Sequence, residues 1–304
     1  MAVSVATGFF DGVHLGHRLV LERLVSLARS RGDESVVVTF WPHPRAVLQQ
    51  EADSLRLLTS LEDKTAMIEA RGVDRVEVLP FSRDFGALST EAYLREVLQR
   101  RFGATALVLG YDNRIGADLL PPDDTAAIAS ALGLEVLRCG SVPAPDGTTA
   151  VSSTAIRRCL AEGRIDAARA MLGWDYSLKG VVVAGNRIGR TLGFPTANMQ
   201  LYEPRLLVPA NGVYLVQVEV EGAVYFGMTN IGVRPTLGGS GAVTVETHIL
   251  DFDEDIYGLD IRIRFLQRIR EERRFESLEA LSAQLERDRL EISAQSLKFA
   301  DYTY

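Results

Sequence analysis

Along the first part of the chain, short apolar runs alternate with amphipathic segments. Residues 3–7, 35–40, 74–79, 105–109 and 134–139 are apolar stretches of strand length. Between them, residues 17–30, 60–71, 89–101 and 123–132 repeat apolar positions at helical spacing. Thr59 and Glu62 have capping-box spacing, and Gly72, Gly103 and Gly133 stand where helices would stop. This alternation predicts a doubly wound parallel sheet, a Rossmann-like α/β domain whose ligands bind beyond the carboxyl ends of the strands. After Trp174 the pattern changes to period-two strands without intervening helices, at 179–184, 212–220, 223–229, 242–250 and 259–266. Helices return at about 277–300, which predicts a small antiparallel β-barrel with C-terminal helices. The expected domains are therefore 1–174 and 175–304.

Composition narrows the classes of function. The 304 residues carry a formal net charge of −7, spread over both parts, so neither has the basic excess that nucleic-acid binding requires. No apolar run reaches bilayer-spanning length, and the N-terminus has no charged segment leading into one. The two cysteines, Cys139 and Cys159, have no metal-ligand spacing. A cytoplasmic protein without nucleic-acid or membrane partners is expected, its oligomeric state left open.

Candidate chemistry clusters at the expected strand ends. The first apolar run ends in Thr7-Gly8-Phe9-Phe10-Asp11-Gly12 and opens a helix, an arrangement that offers backbone N–H groups and a positive dipole end to phosphate. His14 and His17 share one helical face, and Gly16 lets a ligand approach the backbone; the alternative is a polar helix cap. Ser152-Ser153-Thr154 would open a later helix, with Arg157 in its first turns able to fork onto a phosphate. Pro42, His43 and Pro44 follow the second run and would suit a planar heterocycle, or simply shape a rigid loop; Gly110-Tyr111-Asp112 follows the fourth.

In the second part, residues 185–198 lack both the P-loop ending and the dinucleotide fingerprint. Gly185, Gly189 and Gly193 would still let amides wrap a phosphate, and Thr196 and Asn198 offer hard oxygens to Mg²⁺. Glu246 and His248 share one face of a strand, and a carboxylate aimed into a barrel core needs a partner or a task, making Glu246 a candidate base. The charged stretch from Arg268 to Arg274 reads as solvated surface.

Several of these motifs, in this order, carry a family resemblance. Thr7-Gly8-x-Phe10-Asp11-Gly12-Val13-His14-Leu15-Gly16-His17, Thr39-Phe40-x-Pro42-His43-Pro44 and Ser152-Ser153-Thr154-x-Ile156-Arg157 resemble the adenylyltransferase half of the bacterial bifunctional riboflavin kinase/FAD synthetase family. Leu192-Gly193-Phe194-Pro195-Thr196-Ala197-Asn198, Asn211-Gly212-Val213-Tyr214, Asn230-Ile231-Gly232-x-Arg234-Pro235-Thr236 and Val245-Glu246-Thr247-His248 resemble its kinase half. The resemblance implies phosphorylation of riboflavin to FMN by ATP and Mg²⁺ with Glu246 as base and Thr196 and Asn198 as metal ligands, then adenylylation of FMN to FAD. It further implies catalytic donors at His14, His17 and Arg157, ATP or phosphate contacts at Gly8, Asp11, Gly16, Ser153, Thr154, Gly185, Gly189 and Gly193, and flavin contacts at Pro42, His43 and Asp112. The chain departs from the family pattern at Phe9, where Asn is common, and at Asn113 and Ile115, where aromatic residues are common. These departures keep open a kinase with a degenerate first half; a non-catalytic flavin sensor is a separate alternative, against which the presence of Glu246 with Thr196 and Asn198 argues, since binding alone needs no base.

Overall fold

The computed structural model describes residues 2–48, 55–185, 188–234 and 242–299. They form two compact units, Met1–Ala155 and Ile156–Tyr304.

In the first unit, β1 (Val3–Thr7), β2 (Glu34–Trp41), β3 (Arg75–Pro80), β4 (Ala104–Leu109) and β5 (Glu135–Arg138) form a sheet of order β3-β2-β1-β4-β5. All its pairings are parallel. Its connections contain α1 (Leu15–Arg31), α2 (Pro44–Leu48), α3 (Leu61–Glu69), α4 (Arg83–Gly86), α5 (Thr90–Ala92), which continues as a π-helical stretch Tyr93–Arg101, and α6 (Pro122–Ala131). Parallel strands are covered on both faces, which explains their unbroken apolar runs. Val5, Val36, Val38, Leu107 and Leu109 pack against Leu94 and Leu98 on one side. Ala6, Val37 and Val108 pack against Leu21 and Leu24 of α1 and Ile68 of α3 on the other, each fully buried leucine contributing about 2 kcal/mol. The crossovers fan out on either side of β1, so the crevice between β1 and β4 is the topological switch point.

The second unit holds α7 (Ser153–Ala161) from its fourth residue onward, then α8 (Ile165–Leu172). It continues through β6 (Ser177–Val183), α9 (Ile188–Thr191), β7 (Ala197–Leu201), β8 (Gly212–Val220), β9 (Ala223–Arg234), β10 (Ala242–Ile249), β11 (Asp260–Arg270) and α10 (Leu278–Ser296). The division falls inside α7, ahead of Trp174, because the end of that helix bonds to this unit: Ala210 N–H donates to the Leu160 carbonyl at 3.0 Å. The strands close into a barrel of order β10-β7-β6-β11-β8-β9. Tyr214, Val216 and Val218 alternate with outward residues along β8 and fill the interior with Val245, Ile261, Ile263 and Phe265. There, the Thr229 and Thr247 hydroxyls share a hydrogen bond of 2.7 Å. The outward-facing Val213, Leu215 and Met228 pack beneath Ile292 of α10.

Two local expectations change. Ser60, not Thr59, caps α3 by accepting the Asp63 N–H, because the Thr59 hydroxyl is already engaged with Gly12 and Asp11. Residues 185–198, where the sequence pattern predicts no helix or strand, contain α9 and run directly into β7, whose short length and polar residues hide its strand character.

One buried ion pair fastens α10 to the barrel. Arg270 at the end of β11 donates to both oxygens of Asp288, at 2.7–3.0 Å, and Asp288 is only 1% exposed. Removing one partner strands a buried charge, so Asp288→Ala is expected to cost about 3 kcal/mol, read as a lower urea midpoint for unfolding of the barrel. An unchanged midpoint would show that the pair does not hold the helix.

Candidate functional site

The loop after β1 is held in an unusual shape by buried polar bonds. Phe10, Gly12 and Val13 all have positive φ (55°, 82° and 35°), which is strained for Phe10 and especially for β-branched Val13. Asp11 pins it: its buried carboxylate accepts N–H bonds from Leu58 and Thr59 at 3.0–3.1 Å, while Gly12 N–H donates to the Thr59 hydroxyl. Asp11 is thus a brace of this loop rather than an open phosphate contact. Gly8 N–H is used as well, bonding to the Val38 carbonyl at 3.1 Å.

His14 caps α1. Its Nδ1 accepts the His17 N–H at 3.3 Å, so the neutral ring carries its proton on Nε2. The His14 and His17 rings stack with centroids 3.6 Å apart and planes 16° apart. A side chain at Gly16 would press to 3.2 Å from the His14 ring, so the glycine serves the pair. His17 Nδ1 is buried without a hydrogen-bond partner, and burial, helped by the nearby His14 and Lys64, holds the imidazole well below its ordinary pKa. At neutral pH the stack therefore includes an uncharged His17. The Ser153 hydroxyl at the start of α7 donates to the Asp11 carbonyl at 2.9 Å, tying that helix start to the loop. Ser152 caps the helix through Ala155 N–H, Thr154 is exposed, and Arg157 lies one turn further along.

Beside the switch point opens a cavity of about 360 Å³ whose wall includes Phe9, Phe40, Phe81, Phe85 and Tyr93. Neighbouring rings meet edge-on or tilted at 5.6–5.9 Å. Asn113 reaches from the loop after β4 and donates to the Thr7 carbonyl at 2.8 Å, bridging the two central strands. Ile115 is buried in the same wall. The departures at residues 113 and 115 therefore leave no cavity short of aromatic surface, since five other rings supply it. His43 lies over the Phe9 ring at 3.9 Å, and its Nδ1 accepts Arg45 N–H. Pro42 follows a cis peptide, and Asp112 is exposed at the loop tip, its neighbours forming the wall instead.

Lys64, on α3, escapes notice in the sequence although it is 1% exposed. Its Nζ donates to the carbonyls of Phe9 (3.1 Å) and Phe40 (3.3 Å) and to the Thr39 hydroxyl (3.1 Å), and lies 3.9 Å from the Phe9 ring centroid. Burial pushes its pKa down to about 8, with Asp11 opposing the shift. The available signal was its position, one turn from Ile68 on the buried face of the helix.

In the barrel, strand pairing assembles the second cluster. Glu246 on β10 stands opposite Asn198 on β7 and Asn230 on β9, a row of three polar side chains on one face. That face is the outer one: Val245 and Thr247 turn inward, whereas Glu246 and His248 line a cavity of about 310 Å³ that also touches Leu281 and Leu285 of α10. The expectation of a carboxylate aimed into the barrel core is thereby corrected, since period-two alternation fixes the face but not which face is interior. A second cavity, of about 240 Å³, is lined by Thr247, Phe252 and Tyr257, and Thr196 borders both cavities. His248 Nδ1 bonds to the Pro195 carbonyl at 2.9 Å, holding the segment before Thr196 against β10.

The glycines of this region work through space. A Cβ at Gly185 would lie 2.2 Å from the Asn198 carboxamide, and one at Gly189 would lie 2.3 Å from the Phe194 carbonyl. Gly193 lies just beyond α9. Asn186, Arg187, Pro235 and Thr236 lie outside the described residues. The stretch read as solvated surface is indeed exposed from Glu271 to Arg274, but Arg270, Glu272 and Arg273, followed by Phe275, also line the cavity of Glu246, because β11 runs on to Arg270 at its rim.

Comparison with known proteins matches both units. Residues 1–155 match the FAD synthetase family and residues 172–295 the riboflavin kinase family. A bifunctional riboflavin kinase/FMN adenylyltransferase of Listeria monocytogenes is 37% identical over 297 residues, covering 98% of this chain and 93% of its own. One of Pseudomonas fluorescens is 39% identical over 285 residues, covering 93% and 90%. A crystal structure described as a macrolide-efflux protein from Streptococcus pneumoniae superposes with a TM-score of 0.87 at 31% identity, covering 95% of this chain and 93% of its own. Among the described residues of this chain, no helix is long and apolar enough to cross a membrane.

The burial of His17 has a measurable sign. Its folded-state pKa lies below the ordinary 6.5, so below about pH 6.5 the unfolded chain binds the extra proton first and this group's contribution to stability falls as pH falls. His17→Gln is expected to flatten the decline in melting temperature between about pH 6.5 and pH 5. Parallel pH profiles for the two proteins would contradict the burial of a neutral ring.

Proposed function

The chain belongs to the bifunctional riboflavin kinase/FMN adenylyltransferase family, and from that membership we propose how its residues divide the two reactions. It is an enzyme that phosphorylates riboflavin to FMN and adenylylates FMN to FAD. We assign the first reaction to the barrel and the second to the parallel-sheet unit, with the working boundary near Trp174.

For FMN formation, the row Asn198–Glu246–Asn230 carries the assignment. Glu246 lines the 310 Å³ cavity and not its 240 Å³ neighbour, so the hydroxyl it deprotonates belongs to a substrate in the larger one. Riboflavin then occupies that cavity, with Phe275 as an aromatic face, and ATP enters the smaller one, its γ-phosphate meeting the ribityl oxygen at Thr196. Glu246 accepts the proton, the oxygen attacks the γ-phosphorus, and ADP leaves. Asn198 and Asn230 orient the carboxylate from either side. Thr196 and Asn198 fit Mg²⁺: both offer neutral hard oxygens, and Gly185 leaves the space in which the Asn198 carboxamide is packed. When bound with ATP, the ion offsets charge on the transferred phosphoryl group.

For FAD formation, an FMN phosphate oxygen attacks the α-phosphorus of a second ATP and pyrophosphate leaves; no protein nucleophile is needed. His14 through Nε2–H, His17, Ser153, Thr154 and Arg157 act as donors to the phosphates, with Gly16 keeping the imidazole stack in place. The isoalloxazine suits the aromatic 360 Å³ cavity near Pro42 and His43. Phe9, Asn113 and Ile115 all line that cavity, which supports an active rather than a degenerate half. The free cysteines Cys139 and Cys159 and the ATP-dependent chemistry support a cytoplasmic setting.

Chromatography of flavins over time, with riboflavin, ATP and Mg²⁺, tests the division. Glu246→Gln is expected to slow FMN formation by roughly 10²–10⁴-fold while FMN supplied directly is still converted to FAD. Undiminished FMN formation in this variant would remove Glu246 as the base.

A further inference from the structure

Lys64 is a buried cation that neither reaction, as assigned above, uses. An ammonium group has three donors, and the acceptors on Phe9, Thr39 and Phe40 occupy all of them. The Thr39 hydroxyl also donates to the Phe9 carbonyl, at 3.1 Å, so this one carbonyl is held from two sides. That bond fixes the orientation of the peptide leading into Phe10, the first of the positive-φ residues in the loop. The same ammonium lies against the Phe9 ring, which also meets the His43 ring at a 59° tilt, so lysine, Phe9 and His43 form a continuous run of contacts beside the aromatic cavity.

The location gives this arrangement a purpose. Parallel strands end in carbonyl oxygens, and the ends of β1 and β2 lie where phosphate-bearing substrates must approach. Carbonyl dipoles there repel phosphate, and a fixed positive charge bonded to them offsets the repulsion. A hydrophobic residue would fill the space at less desolvation cost, so retention of an ammonium at a site this buried calls for a task.

We infer that Lys64 is a positioning residue for adenylyl transfer: it clamps the carbonyl ends at Phe9 and Phe40, sets the loop that follows β1, and holds positive charge beneath the phosphate cradle. This inference rests on the reading that the first unit converts FMN to FAD. Lys64 touches no reacting atom and acts through the loop and through the field at His17. The charged and titratable groups that face it are Asp11 from the loop after β1 and His17 from α1; β2 contributes only Thr39 and Phe40, which do not titrate.

The test compares Lys64→Met, a neutral residue of similar length, with the wild-type full chain. FMN-to-FAD conversion is expected to lose at least tenfold in kcat/KM, with riboflavin phosphorylation unchanged within twofold and the melting temperature not lowered at pH 7. The wild-type kcat/KM for FAD formation is expected to fall as pH rises through about 8, where the ammonium loses its proton, and this alkaline limb is expected to be absent from Lys64→Met. Thr39→Val, which removes one tie and leaves the charge, is expected to give a smaller loss and keep the limb. Unchanged FAD formation in Lys64→Met, or a loss that tracks a lowered melting temperature in both variants with the limb retained, overturns the inference. Absence of FAD from the wild-type reaction overturns the adenylyl-transfer reading and this inference together, whereas wild-type turnover with an indifferent Lys64→Met overturns this inference alone.

Discussion

Hydrogen bonding between neighbouring strands decides where the candidate groups of this chain lie. Pairing of β10 with β7 and β9 sets Glu246 between Asn198 and Asn230, and a shift of one residue would turn the carboxylate to the opposite face. In the other unit, parallel pairing of β1 with β2 and β4 brings the loops at residues 8–14, 42–44 and 110–116 to one edge. The chemistry is carried by side chains that are far apart in sequence, and ladders of backbone bonds make them neighbours.

Around each ladder, buried polar groups complete what register begins. Asp11 accepts backbone amides from the start of the α3 region, Lys64 donates to the ends of β1 and β2, and Asn113 spans the crevice to Thr7. Asp11 and Lys64 are buried, so both must be satisfied inside the protein, and Lys64 and half-buried Asn113 bond to backbone at the edge of the aromatic cavity. In the barrel, His248 holds the Pro195 carbonyl and Arg270 anchors α10 while bordering the same cavity as Glu246. Stability and site geometry thus share residues in both units.

Much of this was legible in the sequence. Continuous apolar runs marked the parallel strands because both faces are covered, and alternation marked the barrel strands because one face meets the interior. The paired histidines and the Glu246 strand were visible because polar chemistry interrupts an otherwise apolar pattern. Other features were hidden for physical reasons. Lys64 looked like one more charge on a surface helix, since periodicity records apolar residues and not a lysine in an apolar phase. Glu272 and Arg273 are exposed, as their charge suggests, but the cavity they border with Arg270 was hidden because it exists only once α10 is folded over the barrel. The outward direction of Glu246 needed the closed barrel, and β7 was obscured by its polar residues.

The central claim is that one chain transfers two different phosphorus groups of ATP at two separate sites. It is tested most directly by incubating the protein with riboflavin, Mg²⁺ and ATP labelled either at the γ- or at the α-phosphorus, then separating the flavins. The γ-label is expected in FMN and FAD, and the α-label in FAD but never in FMN. Formation of labelled FMN without FAD, α-label in FMN, or no labelled flavin at all would contradict it.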